Sequence, residues 1–151
     1  MLPHKHIVLG FFFAVLLLFL YPQFSLLSIF TIFASSILVD IDHYLLFVSR
    51  KREFSLAKAF NYFLDLRKLS GIIKKEKKSK SPVYIFHTLE FFIFLILLSI
   101  FIPQLIFVLV GLSFHYITDI IEMTAQGAAH FREYSIILWA IRRKSKEWKY
   151  Y

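Results

Sequence analysis

The sequence predicts an all-α fold: a polytopic membrane helix bundle with four transmembrane helices and further amphipathic helices at the membrane interface. Of its 151 residues, 58% are hydrophobic and only 19% are charged, which leaves too few polar residues for the surface of an ordinary soluble domain. Lysine and arginine are missing from two long stretches, Ile7 to Ser49 and Ser81 to Phe131. Each stretch can hold two helices of about 20 residues, the length that crosses the hydrocarbon core of a bilayer.

Proline divides each of these stretches at an uncharged reversal, Tyr21-Pro22-Gln23 in the first and Ile102-Pro103-Gln104 in the second. A single membrane domain over residues 1–151 is expected, with spans at about residues 4–20, 24–48, 83–102 and 104–124. A cleaved signal peptide is the competing interpretation of the first span, but no small-residue cleavage site follows Leu20.

The positions of the 18 lysines and arginines predict the orientation of the chain. Lys5 lies near the start, and the others fall in the ranges Arg50–Lys80 and Arg132–Lys149, whereas both reversals carry none. The positive-inside rule therefore places the two termini and the central loop in the cytoplasm of a multi-pass cell-membrane protein.

Both basic regions are expected to lie on the membrane surface. The central loop, residues 50–81, begins with an apolar face between Glu53 and Lys68, which predicts an interfacial helix. Its lysines favour anionic lipid headgroups as the partner, and nucleic acid is the less favoured one. The tail, residues 132–151, is expected to form a second interfacial helix around Trp139.

Acids and histidines inside the predicted spans are the candidate functional residues. A charge at the centre of a membrane helix costs about 2.5–3.5 kcal/mol even on the most forgiving scale. The three spans that hold these acids contain no lysine or arginine, so the counter-charge is expected from protons, water or a cation from outside the chain. The chain has no cysteine, so a metal ion would need nitrogen and oxygen ligands. The candidate functional residues inside the spans are Asp40, Asp42, His43, His87, Glu90, His115, Asp119 and Glu122.

Their spacing predicts that the groups converge on one point. Asp40 and His43 are three residues apart, as are His87 and Glu90, while His115 and Asp119 are four apart, so each pair shares a helix face. His6 lies at the start of the first span. With the predicted orientation, His6 and the other groups therefore all lie at the cytoplasmic ends of their spans. We expect a polynuclear metal site, with a proton pathway as the alternative.

Three residues are harder to place from spacing alone. Asp42 lies about 200° from Asp40 on an ideal helix, so either the helix distorts there or one of the two supports the ligands from behind. Whether Glu122 and His130 join the site is left open.

The order of these residues resembles the YdjM-like family of membrane-bound metal-dependent hydrolases, which is related to zinc-dependent phospholipase C and to single-strand-specific zinc nucleases. The chain departs from the family in two places, since Val39 replaces a proline and His87-Thr88, with Glu90 as a stand-in, replaces a longer His-Arg and Thr-His-Ser segment. The resemblance rests on His6 in HKHIVLG, Val39-Asp40-Ile41-Asp42-His43, His87 in FHTLE, and His115-Tyr116-Ile117-Thr118-Asp119.

This resemblance implies a membrane-embedded phosphoesterase that uses two or three Zn²⁺ ions, with Mn²⁺ as the alternative, on a lipid-linked or other phosphoester at cytoplasmic headgroup depth. Asp42 and Glu90 are the candidate catalytic residues. A metal-ion or proton transporter and a non-catalytic scaffold with a structural metal site stay open as other functions. The implied metal ligands are His6, Asp40, Asp42, His43, His87, Glu90, His115 and Asp119.

Overall fold

The computed structural model describes residues 3–73, 79–145 and 149–150. The fold is all-helical, as predicted, with a parallel pairing of two-residue strands β1 and β2. Two 3-10 turns, Ile85–His87 and Ala129–Phe131, complete it. The helices and strands are α1 Pro3–Leu20, α2 Leu26–Leu38, α3 Ile41–Lys51, α4 Leu56–Ile73, β1 Ser79–Lys80, α5 Leu89–Phe101, α6 Leu105–Ala125, α7 Ile136–Lys144 and β2 Lys149–Tyr150.

Among the described residues, two helical segments are long and apolar enough to cross a membrane, Leu26–Lys51 and Leu105–Ala125. The apolar segments His4–Leu20 and Leu89–Phe101 are shorter. The first and third predicted spans therefore end up on helices below the usual crossing length of about 20 residues. The arrangement with four spans stays a prediction.

The second predicted span is broken where its acids lie. α2 ends at Leu38 and α3 begins at Ile41, with Asp40 at the N-cap of α3. The Asp40 amide donates to Ile37 O at 3.2 Å and the His43 amide donates to Asp40 O at 3.0 Å. These contacts reach back three residues, as in a 3-10 helix, so the chain is locally overwound. The helix distortion, one of the two alternatives for Asp40 and Asp42, is therefore present.

Small residues bring α1, α2 and α6 into close contact. A Cβ atom on Gly111 of α6 would lie 2.3 Å from the backbone oxygen of Ile32 and 2.1 Å from Ser35 Oγ. A Cβ atom on Gly10 of α1 would lie 2.5 Å from Ser36 Oγ. Backbones approach this closely in helix pairs only where small residues line the contact. The three helices are thereby held in a fixed register.

Two apolar clusters contribute to the core of the described residues. Ala14, Ile29 and Ile32 join α1 to α2, while Leu95, Leu109, Leu112 and Val39 join α5 and α6 to the end of α2. The outward faces of the apolar helices expose large side chains, including Phe19 at 79% and Phe101 at 81%.

The two basic regions are partly described. Their predicted interfacial helices correspond to α4 and α7. On α7, Ile137, Leu138 and Ile141 are exposed, and the helix ends with the basic run Arg142 to Lys144. Residues 74–78 of the predicted loop and residues 146–148 and 151 of the predicted tail lie outside the described residues.

Candidate metal centre

Helix packing gathers histidines and carboxylates from four places in the chain. His6 comes from α1, Asp40 from the turn between α2 and α3, and His87 from the 3-10 turn before α5. His115 and Asp119 come from α6, one and two turns beyond Gly111. The start of α1 and the end of α6 lie side by side, since His6 Nε2 is 3.2 Å from Asp119 Oδ1. We call His6, Asp40, His43, His87, His115 and Asp119, together with Asp42, the His/Asp cluster.

Three overlapping groups in this cluster hold ligand atoms within 4.8 Å of one another. The groups are His6 with Asp40 and His115, Asp40 with His43 and His87, and His87 with His115 and Asp119. Asp40 is shared by two groups. Its Oδ1 lies 3.5 Å from His115 Nε2 and 3.6 Å from His87 Nε2.

The hydrogen bonds of His87 and His115 determine which ring nitrogens face the cluster. His115 Nδ1 lies 2.8 Å from Ser36 O, and a carbonyl oxygen only accepts, so Nδ1 carries the proton. His87 Nδ1 lies 2.9 Å from Asp42 Oδ2, which likewise accepts. In the neutral rings both Nε2 atoms are therefore unprotonated, and they lie 3.1 Å apart. Two lone pairs at this distance repel each other unless a cation lies between or beside them.

That distance suits a shared metal ion. Zn–N bonds are about 2.0–2.1 Å long, so two imidazole nitrogens on one tetrahedral ion lie about 3.3 Å apart. The structure therefore contains an arrangement of His and Asp side chains that could hold a metal ion.

His6 supplies a second sign that a cation is expected. Its side chain is 2% exposed, and its ring stacks on that of His115 with centroids 3.9 Å apart. Within the described ranges, His6 Nε2 makes no hydrogen bond, although it lies near Asp119 Oδ1. A buried imidazole nitrogen is costly without a partner, which a bound ion would provide.

Asp42 lies behind His87, on the side of the ring opposite Asp40. Its Oδ1 is 2.8 Å from His43 Nδ1, and its Oδ2 accepts from His87 Nδ1 and from the Phe86 amide at 3.1 Å. Carboxylates in this position orient a ligating imidazole and raise its basicity. Both oxygens are engaged, so these contacts favour an orienting role over the expected roles of ligand and catalytic residue.

Glu90 is placed differently from the sequence-based expectation. Its carboxylate accepts from the Ser135 hydroxyl and from the backbone amides of Ile136 at 3.1 Å and Ile137 at 3.3 Å. It therefore caps the first turn of α7, and it belongs to none of the three ligand groups. The spacing of three residues predicts that Glu90 and His87 share one helix face. They lie in different elements instead, because His87 is in a 3-10 turn and Glu90 is in α5.

We expect Glu90→Gln to keep full metal content while weakening the attachment of α7. The amide has one acceptor oxygen where the carboxylate has two, so about 1 kcal/mol of capping is expected to be lost. Elemental analysis and limited proteolysis at α7 measure the two effects. Loss of metal in a folded Glu90→Gln protein would return Glu90 to the ligand set.

Arg132 is the residue that sequence analysis missed. Its Nη1 donates to Asp119 Oδ2, and its side chain is buried. Burial alone lowers the pKa of Arg132, but the adjacent Asp119 carboxylate raises it, and the net pKa lies above its ordinary value. The expectation that all counter-charge comes from outside the chain is therefore wrong.

A helix-terminating turn explains how Arg132 reaches the cluster. Gly127 has a φ of 63°, its amide donates to Thr124 O, and the Ala128 amide donates to Met123 O at 2.8 Å. This is the Schellman arrangement, in which a left-handed residue, usually glycine, ends a helix and reverses the chain. Gly127 is the one signal in the sequence that the tail folds back after α6.

The two residues left open by sequence analysis have other contacts. Glu122 Oε1 lies 3.1 Å from Lys5 Nζ, which joins the start of α1 to the end of α6. His130 is exposed, and its backbone oxygen accepts from Lys80 Nζ at 2.7 Å. Neither belongs to the three ligand groups.

Comparisons with models of known protein families, with characterised proteins and with solved structures give no match to this chain. The function is therefore argued from the cluster itself.

Proposed function

We propose that this chain is a membrane-embedded, metal-dependent phosphoester hydrolase whose His/Asp cluster holds two divalent ions at the cytoplasmic side of a four-span bundle. The observation that carries the proposal is the pair of unprotonated Nε2 atoms of His87 and His115, 3.1 Å apart and both within 3.6 Å of Asp40 Oδ1. This convergence needs a cation, and Asp40 suits a ligand shared between two ions.

The charge of the cluster supports the same proposal. Asp40, Asp42 and Asp119 carry three negative charges when ionised, and Arg132 balances one of them. With neutral histidines, two negative charges stay uncompensated in the described part of the cluster. One divalent ion neutralises them, and a second makes the centre positive enough to attract an anionic substrate.

Hydrolysis is the chemistry that such a centre would serve. Divalent ions held here would supply Lewis-acid activation of water and would stabilise negative charge on the phosphoryl oxygens. His87, His115, His43 and His6 would hold the ions together with Asp40 and Asp119, while Asp42 would orient His87. Zn²⁺ is the proposed metal because nitrogen and oxygen ligands in this ratio are usual for it.

The membrane setting is proposed from composition and exposure. Two segments have the length and apolarity of a span, and the exposed faces of α1 and α5 carry large apolar side chains. The cluster lies where α1 begins and α6 ends, beside the lysine-rich and arginine-rich parts of the chain. A phosphoester at lipid headgroup depth would therefore meet the cluster and an anion-attracting rim together.

Transport is the second candidate, because a proton shared by His87 and His115 would also relieve their repulsion. Transport would need a polar route through the end of the bundle opposite the His/Asp cluster, and the side chains there do not support one. There, Ser25 and Ser28 bond each other, Thr31 donates to Leu27 O and Ser99 donates to Ile96 O. These hydroxyls satisfy local partners, so they do not line a polar route.

The function is tested with protein purified in detergent, stripped of metal by a chelator and reloaded with Zn²⁺ or Mn²⁺. We expect metal-dependent turnover on at least one member of a panel of phosphomonoesters, phosphodiesters and phospholipids. Metal-replete, folded protein that turns over nothing on the panel, yet moves protons or metal ions in sealed vesicles, would establish transport instead.

The four-span orientation is tested with introduced cysteines, for which the cysteine-free chain is a clean background. Gln23→Cys and Gln104→Cys lie at exposed positions in the two reversals, and Lys51→Cys lies at the exposed end of α3. An impermeant maleimide should label the first two in intact cells and Lys51→Cys only after permeabilisation. Labelling of the two reversals from opposite sides would contradict four spans.

A further inference from the structure

Arg132 is buried with one nitrogen of its guanidinium unpaired. Its side chain is 8% exposed, and Nη1 pairs with Asp119. Nη2 has no hydrogen-bond partner in the described part of the chain and no contact with solvent. A buried donor left unpaired costs about 1–3 kcal/mol, and more when the group is charged. An acceptor from outside the chain would remove this cost.

The residues around Arg132 do not offer that acceptor. Its guanidinium lies 5.9 Å from the centre of the Tyr84 ring, which is a cation–π contact and gives Nη2 no hydrogen-bond acceptor. The Tyr134 hydroxyl donates to Ala129 O at 3.3 Å, and no atom of the described residues accepts from Arg132 Nη2. Within the described residues, Asp119 is the carboxylate that pairs with Arg132.

The two arginines of α7, Arg142 and Arg143, are paired or exposed. Arg142 Nη1 contacts both oxygens of Glu133 at 2.8 and 3.1 Å. Arg143 is exposed and lies over the Trp139 ring. Arg132 differs from both because it combines burial with an unpaired nitrogen.

Its position relative to the cluster points to the missing acceptor. Asp119 Oδ2, which pairs with Arg132, is 3.7 Å from His115 Nε2 and 4.0 Å from His87 Nε2. One carboxylate therefore separates the guanidinium from the atoms proposed to hold the ions. A planar guanidinium with one nitrogen engaged can present the other to an oxyanion, and phosphoryl oxygens match its geometry.

We infer that Arg132 binds a phosphoryl oxygen of the substrate through Nη2 while Nη1 keeps its pair with Asp119. The inference rests on the proposed function, and it assigns recognition of the phosphoryl group to a residue beyond the predicted spans. Because Nη2 has no solvent contact in the structure, a side-chain rotation of Arg132 must accompany substrate entry. The cost of the unpaired nitrogen in the free protein is then recovered when substrate binds.

Inorganic phosphate is the probe, titrated calorimetrically into the Zn²⁺-loaded full-length protein in detergent. Arg132→Lys is the decisive variant, because lysine keeps the charge beside Asp119 but lacks the second nitrogen of the fork. We expect it to retain the metal content of the wild type and to bind phosphate at least about tenfold more weakly. Arg143→Gln, at an exposed position, is the control and should bind phosphate as the wild type does.

Two results would overturn the inference while leaving the proposed function intact. The first is an Arg132→Lys protein that keeps its metal and binds phosphate within about twofold of the wild type. The second is loss of metal from a folded Arg132→Lys protein, which would make Arg132 a structural counter-charge for Asp119. By contrast, wild-type protein that binds no metal, or that turns over no ester while loaded, would overturn the proposed function itself.

Discussion

Replacing His115 with alanine is expected to remove bound metal and to lower the thermal stability of the protein in the same step. His115 is fully buried, belongs to two of the three ligand groups and directs Nε2 at Asp40 and His87. A ligand that binds only the folded state at 100 times its dissociation constant stabilises it by about 2.7 kcal/mol. Elemental analysis and the melting temperature in detergent measure the two losses.

A chelator separates loss of metal from loss of packing. Excess chelator should lower the Tm of the wild type and leave that of His115→Ala unchanged, because the variant has no ion to lose. His6→Ala and His4→Ala provide a matched pair on one helix, since His6 is buried in the cluster and His4 is exposed. We expect metal loss from the first and none from the second. Folded wild-type protein without metal above background would rule out the centre.

Replacing Asp40 with asparagine is expected to abolish turnover, with kcat lower by at least about 100-fold at any metal concentration. Asp40 is the carboxylate shared by two ligand groups, and an amide cannot bridge two cations as a carboxylate does. Metal-dependent turnover on the responsive ester, measured over a range of Zn²⁺ concentrations, tests this expectation.

The variant Asp42→Asn distinguishes the role of Asp40 as a shared metal ligand from the orienting role of Asp42. Asp42 contacts His87 from behind, and loss of such a group typically costs about 10–100-fold in metal affinity or activity. Raised Zn²⁺ should therefore restore much of the activity of Asp42→Asn and none of that of Asp40→Asn. Asp65→Asn, on an exposed face of α4, is the control and should behave as the wild type. Full activity in Asp40→Asn would remove Asp40 from the centre.

The expected convergence of the histidines and acids depended on local rules of helix geometry. Residues three and four apart share a helix face, so His115 and Asp119 could be paired from spacing alone. Lysine and arginine occur in three regions only, which predicts the orientation of the spans. That orientation places His6, His43 and His87 at the same depth in the membrane. The structure places these residues in one cluster because Gly10 and Gly111 allow their helices to approach closely.

The roles of Glu90 and Arg132 follow from tertiary contacts, which the spacing of residues along the chain does not predict. Glu90 was grouped with His87 on the assumption of a continuous helix, but the 3-10 turn before α5 separates them and α7 supplies the partners of the carboxylate. Arg132 was counted with the basic tail, because its distance from Asp119 along the chain says nothing about a reversal at Gly127.

The sequence by itself determined the helical class of the fold, the apolar composition behind the membrane prediction and the set of residues able to ligate a metal ion. All three follow from composition and from short-range periodicity, which are local properties of the chain. Only the tertiary structure decided that Asp42 supports His87, that Glu90 caps α7 and that Arg132 pairs with Asp119. Those assignments depend on which polar atoms meet after the helices pack, and a buried polar atom takes the partner that the surrounding fold brings to it.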